Sequence, residues 1–277
     1  MAAAALVAWL AGIAHAAPIT PGDRVPGHLG VTYLELVGQA VPGLALNRKD
    51  GQVEGHLARH IRHIAGSEFE GDPPDPLVLG YIQDRRIQVG GKPRLLILAD
   101  LGLDPDRAQG TALLLLFDVA PKPRLLDAAD VSIDKETEIS DAAGKLSLAP
   151  GDDAIVTYSE HNDADLTMGG YVLISPIGDR LKMIGIAHVV SARLCGWTST
   201  QSAHVASTPD PPRPRPRVDA IVRMKIERTG EDCGDQPTPK PSVRAFSARY
   251  RWNAASGRYE TEFSQFKALD ALNEKGF

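Results

Sequence analysis

The sequence predicts a mainly β protein, an antiparallel sandwich or partly open barrel with peripheral helices near the N-terminus and at the C-terminus. Three observations lead there. After Pro76 the chain breaks into short apolar runs rich in Leu, Val and Ile, punctuated at fairly regular intervals by Gly, Pro and Asp. Two stretches alternate with the two-residue period of a pleated strand. In one, Val218, Ala220, Val222, Met224 and Ile226 alternate with Asp219, Ile221, Arg223, Lys225 and Glu227; in the other, Phe246, Ala248, Tyr250 and Trp252 alternate with residues that include Arg249 and Arg251. Few helix-length patterns separate the runs, so a parallel sheet would lack its crossover helices.

Residues 1–16 contain no Lys, Arg, Asp or Glu, and the apolar run over 2–13 ends in Ala14-His15-Ala16, the small-x-small pattern of a cleavage site. They read as a signal peptide, although its usual positively charged start is missing. Residues 17–277 read as a single β-rich domain, with 17–75 a helical and loop part and 76–277 the antiparallel β part. The apolar run is shorter than the ~20 residues that span a bilayer, so no transmembrane anchor is expected after cleavage. Next, Leu34, Leu36, Val37, Ala40 and Val41 recur at helical spacing before Pro42, which predicts a short helix within 31–41. Leu57, Ile61 and Ile64 predict a second helix over 54–64, ahead of the turn-rich Gly71-Asp72-Pro73-Pro74-Asp75-Pro76.

Strands are predicted over 77–82, 93–99, 111–119, 124–133, 154–158, 171–176, 181–190, 218–228 and 246–252, the last returning through a hairpin loop over 253–257 to Tyr259. The segment Pro209-Asp210-Pro211-Pro212-Arg213-Pro214-Arg215-Pro216-Arg217 has too few N–H groups to join a ladder and reads as an extended, exposed loop. The alternatives are an interdomain linker or a docking segment for a proline-binding groove. Ser264 can cap a terminal helix that aligns Phe266, Leu269 and Leu272 along one stripe.

Cys195 and Cys233 are the only cysteines, an even count that predicts one disulfide and an oxidising compartment, periplasmic or secreted. Closing a loop of that length stabilises by about 4 kcal/mol in the chain-entropy treatment. A bond across the Pro-rich segment would place both of its sides in one folded unit. A hydrophobic content of 43% permits a sizeable core, which excludes global disorder. The net charge of -5, with no basic stripe, excludes nucleic acid as a partner.

Candidate chemistry is sparse. Ser159-Glu160-His161-Asn162-Asp163-Ala164-Asp165 reads as a loop between strands, where His161 could act as general base or metal ligand, with Asp163 or Asp165 orienting its second nitrogen and Glu160 as a further acid/base group. A polar hairpin loop shaped by solvent is the plainer reading. His56, His60 and His63 would line one side of the predicted helix with the spacing of zinc ligands, but Arg59 and Arg62 oppose a cation there, and a boundary face explains them more simply. Asp104-Pro105-Asp106 and Gly151-Asp152-Asp153 offer oxygens to calcium without the spaced ligands of a complete loop, and read as turns. Asp127, Asp130 and Asp134 receive no role, because residues so separated along a strand need not share a face. No Gly-x-Ser-x-Gly, phosphate loop or Gly-x-Gly-x-x-Gly occurs. No cofactor is expected beyond a divalent metal at these candidates. The expected role is an exported binding or structural envelope protein, its partner a small molecule or an envelope component. The alternative is an extracytoplasmic metal-assisted or acid/base hydrolase using residues 159–165.

Overall fold

The computed structural model describes residues 18–274 apart from 29, 58, 71–72, 104–108, 141–144, 232 and 235–238. The predicted signal peptide over 1–16 and Asp104-Pro105-Asp106 lie outside the described residues. The protein is mainly β with antiparallel sheets, forms no closed barrel, and carries few helices, one of them C-terminal.

Helix α1 (Tyr33–Val37) precedes a three-stranded sheet of β1 (Ala45–Leu46), β2 (Val53–Gly55) and β3 (Leu77–Val78). A four-stranded meander follows: β4 (Tyr81–Val89), β5 (Lys92–Leu103), β6 (Gly110–Asp118) and β7 (Leu125–Asp130). The remaining strands are β8 (Glu136–Ile139), β9 (Leu146–Ala149), β10 (Asp152–Asp163), β11 (Leu166–Ile177), β12 (Arg180–Leu194), β13 (Trp197–Thr208), β14 (Arg217–Arg228), β15 (Ser242–Asn253) and β16 (Arg258–Ser264). They form one sheet ordered β16-β15-β14-β13-β12-β11-β10-β8, with β9 also paired to β10. Helix α2 (Phe266–Asn273) ends the fold.

The four-stranded sheet is buried on both faces. Leu95, Ile97, Leu113, Leu115 and Phe117 point to one side, where α1 covers them with Tyr33, Leu36 and Val37. Leu96, Leu98, Leu114 and Leu116 point to the other, against Ile155, Val172 and Ile174 of the large sheet. Two-sided burial accounts for the unbroken run Leu113–Leu116, where a half-wet strand would alternate. Each such leucine contributes about 1.5–3 kcal/mol by leaving water. Helix α1 is short but well begun: the Thr32 side chain accepts from Glu35 N while the Glu35 carboxylate accepts from Thr32 N, a reciprocal cap.

The large sheet curls over its own inner face. Val156 and Leu173 on one limb share a core with Val218, Val222 and Tyr250 on the other. A Cβ on Gly185 of β12 would lie 2.2 Å from the ring of Tyr250 on β15. These strands stand three steps apart in the sheet, about 14 Å on a flat surface at ~4.8 Å per step, so the contact is made across the curl. Helix α2 docks on the same core through Phe266 and Leu269, and Ser264 Oγ accepts from Phe266 N at 3.1 Å, near where the sequence placed the cap.

One predicted helix is absent. Among the described residues of 54–64 no helix forms: the chain leaves β2 and meets β7, where His63 bridges Asp130 in parallel fashion, Ile64 N donates to Asp130 O and Asp130 N donates to Arg62 O. The Arg62 guanidinium fixes this course by donating to the carbonyls of Ala128 and Leu181 and to Asp127. Three histidines and the β-branched Ile61 and Ile64 are modest helix formers, so the ladder and the arginine anchor prevail. A second correction concerns 159–165: β10 and β11 continue through it, and only Ala164 and Asp165 form the turn, with Ala164 at φ 45.

Candidate functional site

A groove of about 540 Å3 opens between β9 with Pro150 and the segment 209–216 that joins β13 to β14. The proline-rich segment is turned rather than straight, and ion pairs pin it to the sheet. Asp210 accepts from Arg213 at 3.0 Å, and Arg251 Nε lies 3.2 Å away without the alignment of a hydrogen bond. Arg215 donates to Asp152 at 2.8 Å, with both side chains largely buried, and its guanidinium lies 4.5 Å from the centre of the Trp252 ring. Trp252 meets Tyr259 edge-on, and the Tyr259 hydroxyl donates to Pro216 O. Burial pushes Tyr259 up to about 12, against the lowering influence of Arg215. One terminal nitrogen of Arg215 is buried with no hydrogen-bond partner. At the segment's end Asp219 accepts from both Arg217 and Arg249 at 2.8 Å; these guanidiniums hold its carboxyl below its ordinary range, although partial burial opposes them.

Two further cavities adjoin. One of about 420 Å3 lies on the other flank of the segment, among Arg251, Trp252, Asn253 and Glu262. The second, about 750 Å3, spreads over the outer face of the curled sheet beside His204, Ile221, Arg249 and Phe263.

A second polar cluster lies elsewhere, where the chain after β7 passes β8 and β10, and of the sequence candidates it includes His63 and Asp130. Ser132 is the hub: its hydroxyl lies 2.7 Å from Asp130, and its carbonyl accepts from Gln109 at 2.6 Å and contacts His63 Nε2 at the same distance. Since Ala65 N donates to His63 Nδ1, the ring hydrogen sits on Nε2 and points at that carbonyl. Ser159 bonds Thr137 at 2.8 Å, and Asp100 accepts from Gly102 N and Thr137 N. Burial raises both Asp100 and Asp130 above the ordinary carboxylate range, opposed at Asp100 by those backbone donors and at Asp130 by the hydroxyl and N–H of Ser132 and then by His63.

The three histidines that the predicted helix would have aligned separate instead: His56 contacts Asp75, His60 lies 3.4 Å from Glu70, and His63 is buried on Ser132. The structure does not bring them together. His161 Nδ1 lies 2.5 Å from Asp134, 27 residues away, rather than beside Asp163 or Asp165, which are exposed. Glu160 points to the opposite face of β10, where it accepts from the Tyr158 hydroxyl at 2.8 Å. Of Gly151-Asp152-Asp153 only Gly151 belongs to a turn; Asp152 and Asp153 open β10, and their carboxylates bind Arg215 and Lys145. Cys195 and Cys233 are joined as a disulfide. No family model, curated protein or solved structure matches the chain.

Spacing along the chain assigned Asp134 no role and gave no sign of the groove, whereas the structure sets Asp134 against His161. A usable signal for the groove was the alternation of Pro and Arg over 211–217, since closely spaced guanidiniums call for carboxylates such as Asp152, Asp210 and Asp219 elsewhere in the chain.

Proposed function

We propose that this chain is an exported binding protein, whose ligand is a small amphipathic molecule lying in the groove between β9 and the segment 209–216. The observation that supports this most is preorganisation: Arg213, Arg215 and Arg217 are each tied to a carboxylate, so the walls stand before a ligand arrives and little ordering entropy is lost on binding. The lining of Leu148, Ala149 and prolines suits an apolar body, and the Arg213 guanidinium, its side chain 42% exposed beside the groove, suits an acceptor oxygen. Export is supported by the signal-like first 16 residues and by the disulfide, which belongs with an oxidising compartment.

The probe is 1-anilinonaphthalene-8-sulfonate, an apolar dye bearing an anion. Titration of the folded chain is expected to give saturable fluorescence at one dye per chain, and Ala149→Trp, which fills the groove, to abolish it while the thermal transition stays in place. Equal dye binding by both proteins refutes the groove as the site. For export, mass spectrometry of protein from the native host is expected to find a chain beginning near Ala17; an intact Met1 end counts against it.

The hydrolase reading keeps one observation in its favour, the pairing of His161 with Asp134. A thermal-shift screen with divalent ions, comparing wild type with His161→Ala, decides it: identical ion responses remove the reading.

A further inference from the structure

We infer that the Cys195–Cys233 disulfide masks a thiophilic metal site, which opens on reduction and holds a zinc-class divalent ion through Cys195 Sγ, Cys233 Sγ and a Glu231 carboxylate oxygen. Among the described residues this is the group in which three ligand atoms lie within 4.8 Å of one another. The two sulfurs are bonded as the structure stands, so the geometry that matters is what remains when that bond opens.

The neighbouring backbone holds the Cys195 turn beside the end of β14 without it, and the short stretch from there to Cys233 limits how far the second sulfur can move. Cys195 and Gly196 form the two-residue turn between β12 and β13, closed by the Leu194–Trp197 pair. Trp197 in turn pairs with Arg228 at the end of β14, and Thr229 N donates to Gly196 O at 3.0 Å, so main-chain bonds fix the chain beside the turn up to four residues before Cys233. Glu231 reaches the same turn, its carboxylate 3.4 Å from Gly196 N. The Cα atoms of the cysteines are 5.8 Å apart, which leaves freed thiolates room to swing to the edge of a tetrahedron by rotation about their side chains. Both Cys195 and Glu231 are exposed, giving a reductant and an ion access from solvent. The competing contact of Glu231, Arg193 at 3.7 Å, joins two exposed groups and is readily exchanged.

The chemistry balances in two steps. A dithiol reductant delivers two electrons and two protons; the S–S bond breaks, two S–H groups form, and the reductant becomes a disulfide. The ion then displaces the two thiol protons and forms two metal–sulfur bonds and one metal–oxygen bond to the Glu231 carboxylate, leaving the fourth position to water. Two sulfurs and one oxygen favour zinc or cadmium over calcium or magnesium. In the oxidised chain the thiolates do not exist and the site is closed.

Cadmium is the probe, because its bonds to thiolate absorb in the ultraviolet. Chain reduced with a trialkylphosphine and desalted without oxygen is expected to take up one Cd2+ with the charge-transfer band, while the oxidised chain takes up none. Glu231→Gln leaves both cysteines and their disulfide intact and is expected to weaken uptake by the reduced chain by at least about tenfold. Reduced wild type that shows no equimolar uptake overturns the site. So does Glu231→Gln that titrates like wild type, since that is how thiols on an unfolded or unorganised segment would behave.

Discussion

Gly185 offers the sharpest test of the curled sheet. In Gly185→Ala the new methyl would lie 2.2 Å from both the Cζ and the hydroxyl oxygen of Tyr250, far inside van der Waals contact. Tyr250 is only 4% exposed and belongs to the core shared by the two limbs, so its ring has little room to retreat. Burial has already pushed its hydroxyl up to about 12, so at neutral pH a neutral, tightly enclosed ring must move. Overpacking of this kind costs about 1–3 kcal/mol, and at roughly 2–4 °C per kcal/mol for a chain of this size the melting temperature should fall by about 2–12 °C. The assay is urea unfolding followed by far-ultraviolet circular dichroism, run on Gly185→Ala, Tyr250→Ala and the double variant. Tyr250→Ala makes room for the methyl, so the double variant is expected to be more stable than the sum of the single losses allows, by at least about 1 kcal/mol. Additive losses, or a Gly185→Ala change below about 0.5 kcal/mol, would show that the limbs do not meet at this point.

Other outcomes follow from the same fold. Because burial raises Asp100, the native state favours its protonated form: its stabilising contribution is full below the unfolded value of 3.8 and is lost as pH rises through the folded value. The stability of wild type relative to Asp100→Asn should therefore be more favourable at pH 4 than at pH 7, and a pH-independent difference in denaturant midpoint contradicts it. His161→Ala leaves the largely buried Asp134 carboxylate without its ring partner and should cost about 1–3 kcal/mol in urea unfolding, whereas a silent change would mean the contact is not formed in solution. Replacing both cysteines by serine should cost about 4 kcal/mol under non-reducing conditions for a 38-residue separation, and a loss under 1 kcal/mol is the contrary result. Leu269→Ala, at a fully buried position of α2, should cost about 2–5 kcal/mol and release the helix as judged by amide exchange; unchanged exchange over 266–273 would argue that α2 is not docked.

Where one side of a strand is wet, the chain announced it. The alternation over 218–227 matches β14 residue for residue, and Asn253 to Gly257 does form the hairpin turn that returns β15 through β16. The terminal helix and the disulfide were equally legible, the first from three apolar side chains at helical spacing, the second from an even pair of thiols. β13 was not, because Thr198, Thr200, Ser202 and His204 make its outer face and Ser199 and Gln201 its inner one, so little apolar rhythm remains. The apolar spacing of Leu57, Ile61 and Ile64 suited a helix as well as a run without one, and the main-chain bonds to Asp130 together with the Arg62 anchor to Asp127, Ala128 and Leu181 decide between them. At the candidate sites the missing information is partnership at long range. His161 meets Asp134 across 27 residues, and Arg215 meets Asp152 across 63, distances over which spacing in the chain says nothing about proximity in space.

The double-sided burial of the β4–β7 sheet makes the early part of the chain indispensable. Were a protease to remove everything before Tyr81, Leu95, Ile97, Leu113, Leu115 and Phe117 would form a continuous greasy plane facing water. Such a plane is an invitation to precipitation. The stretch from Ile19 to Leu79 is thus a cover that the remainder cannot shed, and tags or fusions are better borne at the far end, beyond α2.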